Sequence, residues 1–166
     1  MRYLLTTNRV KLVGANLKFD LVWILCKWGI TCTNFTFDTL LVGSLLDENR
    51  SNSLNAHAKE YTAIGGYDDI FNATFDKGSM EKISQEDLRV YAGGDTDAAY
   101  RVKKVICREL VAKPSLARLY VTILHPASRV FEKVERSGMC VDQVKYAELR
   151  SDLVSELARL ERAAVS

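Results

Sequence analysis

The sequence of 166 residues is long enough for one ordinary domain, and its 48% hydrophobic content indicates a protein with a substantial core. The formal net charge of +2 is too small to argue by itself for nucleic-acid binding. No apolar run approaches the roughly 20 residues that cross a bilayer, so we expect a cytoplasmic protein with no membrane partner. The four cysteines have neither metal-finger spacing nor a disulfide framework, and we expect reduced thiols.

The first part of the chain alternates between strand and helix patterns. KLVGAN reads as a short buried strand that ends at Gly14, and the apolar residues of FDLVWILCKWGI recur at helical spacing up to a stop at Gly29. TCTNFTFDT predicts a second strand, and LLVGSLLDEN and SLNAHAKEYT predict two short helices. This alternation predicts a parallel sheet with crossover helices.

A loop and then a long helix follow. IGGYDDIFNATFDKGSM has no period, and it predicts a long loop with room for short helices. Ser84 and Asp87 approximate a capping box, so a long helix is expected from Ser84 to about Leu110.

Pro114 marks a boundary, beyond which the composition is helical. The apolar spacing predicts two antiparallel helices, with Pro126 breaking or restarting the first and Gly138 ending it. We therefore predict an α/β unit over residues 1–114 and an appended helical hairpin over residues 115–166.

The long helix carries a candidate site. Tyr91 and Asp95 are four residues apart and lie on one face. Gly93 and Gly94 lie between them, and each costs about 1 kcal/mol relative to Ala in a helix interior. The glycines indicate a close approach by another element of the fold, which we favour on spacing alone, or by a phosphate backbone.

A second candidate site follows the first strand. NLKFD places Asn16 and Asp20 where that strand ends and a helix begins, which is where ligands bind in open α/β sheets. The alternative for Asp20 is a carboxylate in the first turn of a helix that is stabilised by the helix dipole.

Together, VGANLKFD, FDTLL and YAGGDTDA resemble the second and third motifs, and the segment between them, of proofreading 3′–5′ exonuclease domains in family A DNA polymerases. HPASRVFEKVERSGMCVD is similar to the segment that leads from that domain into the polymerase thumb. The resemblance implies a partial ribonuclease H-like fold of the DEDD type, followed by the first thumb helices. It also implies a DNA-binding, metal-dependent hydrolase of DNA replication, in a bacterial cytoplasm or in a host infected by phage.

The family chemistry is two-metal phosphodiester hydrolysis, in which four carboxylates hold two Mg²⁺ or Mn²⁺ ions. The resemblance implies that Asp95 is a direct metal ligand and that Asp20 holds a metal mainly through water. It implies further that Tyr91 orients the attacking water and that Asn16 contacts the 3′-terminal nucleotide of single-stranded DNA.

Three other residues have less specific assignments. Phe71 and Phe75 are candidates to stack on an unpaired base, with burial in the core as the favoured alternative. Asp38, in the FDT sequence, is expected to be structural.

The family's first motif, Asp-x-Glu, supplies the other two carboxylates, and it does not occur in these 166 residues. We therefore expect a chain that lacks the N-terminal part of the exonuclease domain and ends near the first thumb helices. Asp20 and Asp95 alone should hold divalent metal weakly, because hard cations need several oxygen ligands, and the chain alone should be inactive. The first strand should expose a sheet edge that is prone to association.

Three hypotheses remain open. The leading one is a fragment of a family A DNA polymerase whose partners are DNA and the remaining polymerase chain or an N-terminal fragment. The second is a ribonuclease D-like 3′–5′ exonuclease, which shares the later two motifs, although ERSGMCVD favours the polymerase. The third is a non-catalytic docking or assembly subunit of a polymerase, which accounts directly for the missing Asp-x-Glu.

Overall fold

The computed structural model describes residues 2–165. The strands are β1 (Leu12–Gly14) and β2 (Phe35–Asp38). The α-helices are α1 (Arg2–Thr6), α2 (Leu17–Trp28), α3 (Thr39–Leu46), α4 (Leu54–Tyr61), α5 (Tyr67–Thr74), α6 (Gln85–Val111), α7 (Pro114–Leu119), α8 (His125–Ser137) and α9 (Gln143–Val165). A 3₁₀ helix spans Lys77–Lys82, and a π-helical turn spans Tyr120–Leu124.

The described residues form two compact units, the first extending to Val134 and the second beginning at Glu135. The first unit contains both strands, α1 to α7 and most of α8, and the second contains α9. The first unit thus continues beyond Pro114. The antiparallel packing of the last two helices stays a prediction.

The sheet of the first unit has the predicted parallel topology. β1 pairs with β2 in parallel, in a register that sets Val13 opposite Phe37 and Gly14 opposite Asp38. Helix α2 is the crossover between them, and it ends as predicted at Gly29, which adopts a left-handed backbone with φ of 60°. Within the described residues, β1 has β2 as its one strand neighbour, so the other edge of β1 carries no strand.

The helices that were not predicted individually from the sequence are short. Helix α1 was not predicted, whereas α5 and the 3₁₀ helix occupy the stretch that left room for short helices. Helix α5 has only two turns and buries only Asp68 and Phe71, so it is too short to show an apolar period.

Helix α6 is the centre of the main core. Its residues Ala98, Val102, Ile106 and Leu110 are buried against both the sheet and α3 and α4. The other buried members of this core are Phe37, Val42, Ala58 and Tyr120. A smaller core lies under α2 and consists of Leu5, Leu21, Ile30, Cys32 and Phe35.

Residues 120–132, which we call the clasp, fasten the chain beyond Pro114 to the first unit. The backbone N–H of Asp38 donates a 2.9 Å hydrogen bond to the hydroxyl oxygen of Tyr120, and burial raises the pKa of Tyr120 to about 12. Nη2 of Arg129 donates a 2.8 Å hydrogen bond to the carbonyl oxygen of Cys32. The π-helical turn precedes Pro126, where the sequence predicts a break or restart of the helix.

Within the described part of the chain, no helix combines the length and the apolar character needed to cross a membrane. None of the four cysteines, Cys26, Cys32, Cys107 and Cys140, is joined in a disulfide in this structure.

Lowering the pH from about 7.5 to about 5.5 is expected to lower the melting temperature of the first unit. Burial lowers the pKa of His57, against the opposing effect of Glu60, and burial also lowers the pKa of His125. The unfolded chain therefore takes up protons near the ordinary value of 6.5 that the folded chain resists, and the free energy of unfolding falls as the pH drops through that range. Thermal melts followed by circular dichroism at both pH values measure the effect.

The double variant His57→Gln/His125→Gln is the control for this pH dependence. Its melting temperature should change less between the two pH values than that of the unchanged chain. An equal change in both proteins would assign the pH dependence to other groups.

Candidate functional site

Helix α6 begins at a hydrogen-bonded cap formed by Ser84. Oγ of Ser84 accepts a 3.1 Å hydrogen bond from the backbone N–H of Asp87, while its hydroxyl donates to the Asp87 carboxylate at 2.6 Å. The predicted cap is confirmed, with the carboxylate bonded to the hydroxyl instead of to a backbone N–H. Tyr91 and Asp95 follow on one face of α6, and both are half-buried.

Asp95 is held by a residue that the sequence did not indicate. The hydroxyl of Tyr67, at the start of α5, donates a 2.7 Å hydrogen bond to Oδ1 of Asp95. Burial raises the pKa of Tyr67 well above its ordinary range, and the hydrogen bond to Asp95 raises it further. Tyr67 precedes Asp95 by 28 residues and lies in the predicted loop, so no local pattern connects the two.

The two glycines of α6 have different surroundings. A Cβ atom on Gly94 would lie 2.8 Å from Cδ2 of Tyr67, whereas a Cβ atom on Gly93 would meet nothing within 4 Å. The close approach at Gly94 is therefore that of another element of the fold, as the spacing favoured. Gly93 is exposed and leaves open space beside the helix.

Tyr91 lies between an aromatic ring and a cation. Its ring stacks on Phe71 with 4.1 Å between centroids, and Nζ of Lys77 is 5.0 Å from its centroid. Phe71 is buried and also contacts Phe75, which is half-buried at the end of α5. Phe71 is therefore a core residue, which is the alternative to base stacking that the sequence favoured. Burial raises the pKa of Tyr91.

Lys77 is itself fixed by a carboxylate. Its Nζ lies 2.9 Å and 3.0 Å from the two oxygens of Asp68, and Asp68 is buried. This ion pair keeps the ammonium group beside the ring of Tyr91.

Asp38 is structural, as expected. Its two carboxylate oxygens each accept a 3.0 Å hydrogen bond, from the backbone N–H groups of Asn16 and Leu17, and it also caps α3 through the N–H of Leu40. Asn16 has a left-handed backbone with φ of 54°, and its side chain makes no capping bond to α2. Asp38 therefore fixes the turn that leads into α2 and Asp20.

Asn16 borders a groove of about 300 Å³ at the carboxyl ends of the two strands. Lys18, Leu124 and Phe131 also line this groove. The groove lies at the edge of the sheet where ligands bind in open α/β sheets.

Asp20 lies within electrostatic reach of Asp95. Burial of its carboxyl raises the pKa of Asp20, and the negative charges of Asp38 and Asp95 raise it further. Asp20 lies on α2 and Asp95 on α6, and the charge of Asp95 contributes less to the raised pKa of Asp20 than burial and Asp38 do. A bound divalent cation would relieve their repulsion.

The carboxyl and amide oxygens suit a hard cation, but their number is small. Among residues 2–165, no group of three or more His, Cys, Asp or Glu side chains is placed to hold a metal ion. Hard cations take about six to eight oxygen ligands, so Asp20 and Asp95 fit as part of a metal site that needs further ligands.

Known proteins are similar to most of this chain. A sequence profile described as 3′–5′ exonuclease matches residues 1–111. The DNA polymerase of Escherichia phage T5 is 28% identical, over 89% of this chain and 20% of that protein. DNA polymerase I of Pseudomonas aeruginosa is 27% identical, over 92% of this chain and 17% of that protein. The DNA polymerase of Bacillus phage SP01 is 25% identical, over 97% of this chain and 18% of that protein.

The chain spans about a fifth of the length of these relatives. The profile match covers the part of the chain that contains both strands, α6 and the residues Asp20 and Asp95. The chain belongs to the 3′–5′ exonuclease family of family A DNA polymerases, which confirms the resemblance found in its motifs.

Proposed function

We propose that this chain supplies most of a proofreading exonuclease domain of the DEDD, ribonuclease H-like type. In the complete site, it would remove nucleotides from single-stranded 3′ ends of DNA. The observation that carries the proposal is the match of the 3′–5′ exonuclease profile to residues 1–111, which include Asp20 on α2 and both Tyr91 and Asp95 on one face of α6.

The residues take separate roles in this proposal. Asp95 and Asp20 would hold Mg²⁺ or Mn²⁺ together with the carboxylates of Asp-x-Glu, and the metal would supply Lewis-acid activation of water and stabilisation of the leaving oxygen. Tyr91, fixed between Phe71 and Lys77, orients the attacking water through its hydroxyl. Asn16 contacts the 3′-terminal nucleotide from the groove at the strand ends.

Phe71 and Phe75 have a smaller role than Tyr91 in this proposal. Phe71 already stacks on Tyr91, so the ring face that a base would need is occupied. Phe75 is half-buried and stays the weaker candidate for stacking on an unpaired base.

The residues beyond Pro114 are assigned to the start of the polymerase thumb. The profile of the exonuclease family ends at residue 111, close to the predicted boundary. The relatives that are named DNA polymerase cover 89% to 97% of the chain, and their matches therefore include residues of this segment. This coverage favours the polymerase over a ribonuclease D-like enzyme.

A second candidate function is that of a non-catalytic subunit that docks on a polymerase chain. The observation that favours it is that, among residues 2–165, no three His, Cys, Asp or Glu side chains are grouped to hold a metal ion. Restoration of hydrolysis by a segment that carries Asp-x-Glu is the experiment that separates the two functions.

The isolated chain is expected not to shorten a labelled single-stranded oligonucleotide in Mg²⁺ or Mn²⁺, because two carboxylates cannot hold both ions. Denaturing electrophoresis resolves each nucleotide removed from the 3′ end. Asp95→Ala, prepared in parallel, measures the background of contaminating nucleases. Stepwise shortening by the unchanged chain that Asp95→Ala lacks would contradict the expectation.

A further inference from the structure

The hydrogen bond between Tyr67 and Asp95 is short and joins two half-buried groups. The donor is a half-buried phenol and the acceptor is a half-buried carboxylate, at 2.7 Å between oxygens. Hydrogen bonds to a charged group are shorter and stronger than those between neutral groups.

Helix α6 is shaped to admit this phenol. The ring of Tyr67 lies so close to Gly94 that a Cβ atom there would be 2.8 Å from Cδ2 and 3.4 Å from Cε2. Glycine in a helix interior lowers the stability of the helix by about 1 kcal/mol relative to alanine. Helix α6 is therefore less stable with Gly94, directly before Asp95, than it would be with alanine there.

Helix α5, which carries Tyr67, is tied to α4 at its first turn. Oδ1 of Asp69 accepts a 2.9 Å hydrogen bond from Asn55, and Oδ2 is 2.7 Å from Nζ of Lys59. Gly66 begins α5 with a left-handed φ of 83°, which sets the direction in which Tyr67 enters the helix. The phenol therefore reaches Asp95 from a fixed element.

We propose that Tyr67 is a positioning residue for Asp95, which holds one carboxylate oxygen and leaves Oδ2 for a metal ion. The proposal rests on the proposed function, since it assigns Asp95 as a ligand. A carboxylate on a single bond from Cβ rotates freely unless a partner fixes it, and a ligand that is already oriented loses less entropy when the metal binds. Tyr67 thus increases metal affinity without touching the metal.

Tyr67→Phe is expected to weaken Mn²⁺ binding at Asp95 roughly tenfold, because the loss of a hydrogen-bond partner that orients a metal ligand typically costs about 10–100-fold in metal affinity. The variant keeps the ring that Gly94 admits, so the fold should persist. Gly94→Ala is expected to weaken binding similarly although the hydroxyl is present, because the added methyl group displaces the ring. Tyr100→Phe, on the exposed side of α6, is the matched control.

The measurement is NMR on the full chain with ¹³C-labelled aspartate, in which the Asp95 carboxyl signal is assigned by its loss in Asp95→Ala. Without metal, that signal should shift in Tyr67→Phe and not in Tyr100→Phe. Added Mn²⁺ should broaden the Asp95 and Asp20 signals of the unchanged chain, and about ten times more Mn²⁺ should be needed in Tyr67→Phe. Circular dichroism melts show whether each variant is folded.

Two outcomes would overturn different statements. Broadening in the unchanged chain that Tyr67→Phe leaves unaltered would refute the positioning role while leaving the metal site intact. If the Asp95 carboxyl signal shifts in Tyr67→Phe but Mn²⁺ never broadens the Asp95 and Asp20 signals, the hydrogen bond is confirmed and metal binding by these two carboxylates in this chain is refuted. The positioning role would then fail, whereas the proposed function, which concerns the complete site with Asp-x-Glu, is tested separately by restored hydrolysis.

Discussion

A chain that ends at Lys113 is expected not to fold cooperatively, whereas a chain that ends at Val134 is expected to keep the first unit intact. The residues between these two ends complete the main core. Tyr120 is 3% exposed within it, and Leu116, Ala117 and Leu124 pack around it. Removing one large buried aromatic side chain costs about 3–5 kcal/mol, and a whole domain is stable by only about 5–15 kcal/mol.

The lost polar contacts add to the lost core. Without Tyr120, the buried N–H of Asp38 has lost its hydrogen-bond acceptor, which costs about 1–3 kcal/mol. Arg129, which bonds the Cys32 carbonyl, is also paired with the buried Glu132 at 2.6 Å. Because Asp38 holds the turn at Asn16, its displacement would disturb Asp20 as well.

Thermal melts and amide NMR spectra of the two shortened chains and the full chain measure this dependence. Tyr120→Ala in the full chain should lower the melting temperature strongly. Tyr146→Ala, on an exposed site of α9, removes the same side chain and should change the melting temperature little. A sharp melt of the 1–113 chain near the temperature of the full chain would show that the clasp is dispensable.

The clasp also connects the segment beyond Pro114 to the segment before it. Tyr120 and Arg129 lie beyond Pro114, yet they bond to the backbone at Asp38 and Cys32. A shift of α8 would therefore reach the turn that supports Asp20. The sequence boundary at Pro114 and the limit of the compact unit at Val134 are thus separate properties of the chain.

Local chemistry explains which elements could be predicted from the sequence. Gly29 ends α2 through its left-handed backbone, and Ser84 begins α6 through its own hydroxyl. Each signal acts within a few residues, so it can be read without knowing the fold. The alternation of β1, α2 and β2 then predicts a parallel pair, because a crossover helix requires it.

The contacts that support the site could not be read in this way. Tyr67 is 28 residues from Asp95, and Tyr120 is 82 residues from Asp38. Such pairs depend on how the helices cross, and no period or spacing encodes that crossing. Gly94 was the available signal, since a glycine beside a carboxylate in a helix indicates a close neighbour, but it does not identify Tyr67 as that neighbour.

A separate segment that carries Asp-x-Glu, taken from a related polymerase, is expected to bind this chain and restore 3′–5′ hydrolysis of single-stranded ends. The edge of β1 that carries no strand among the described residues can accept one, because main-chain hydrogen bonds add a strand to an open edge. The added Asp and Glu would join Asp95 and Asp20 in a site that holds two metals about 3.5–4 Å apart. Binding is measured by calorimetry, and hydrolysis by shortening of a labelled oligonucleotide.

Two variants of this chain test whether restored hydrolysis uses the proposed site. Asp95→Ala should abolish it, since a direct metal ligand is removed, and the loss should be many orders of magnitude because metal-assisted hydrolysis accounts for most of the rate. Tyr91→Phe should only reduce it, because the water loses one orienting hydrogen bond while the metals stay. The phenylalanine ring still stacks on Phe71, so the reduction would not arise from unfolding. A segment that binds tightly and leaves the complex inert with either metal would refute proofreading by this chain, and the docking subunit would then be the better explanation.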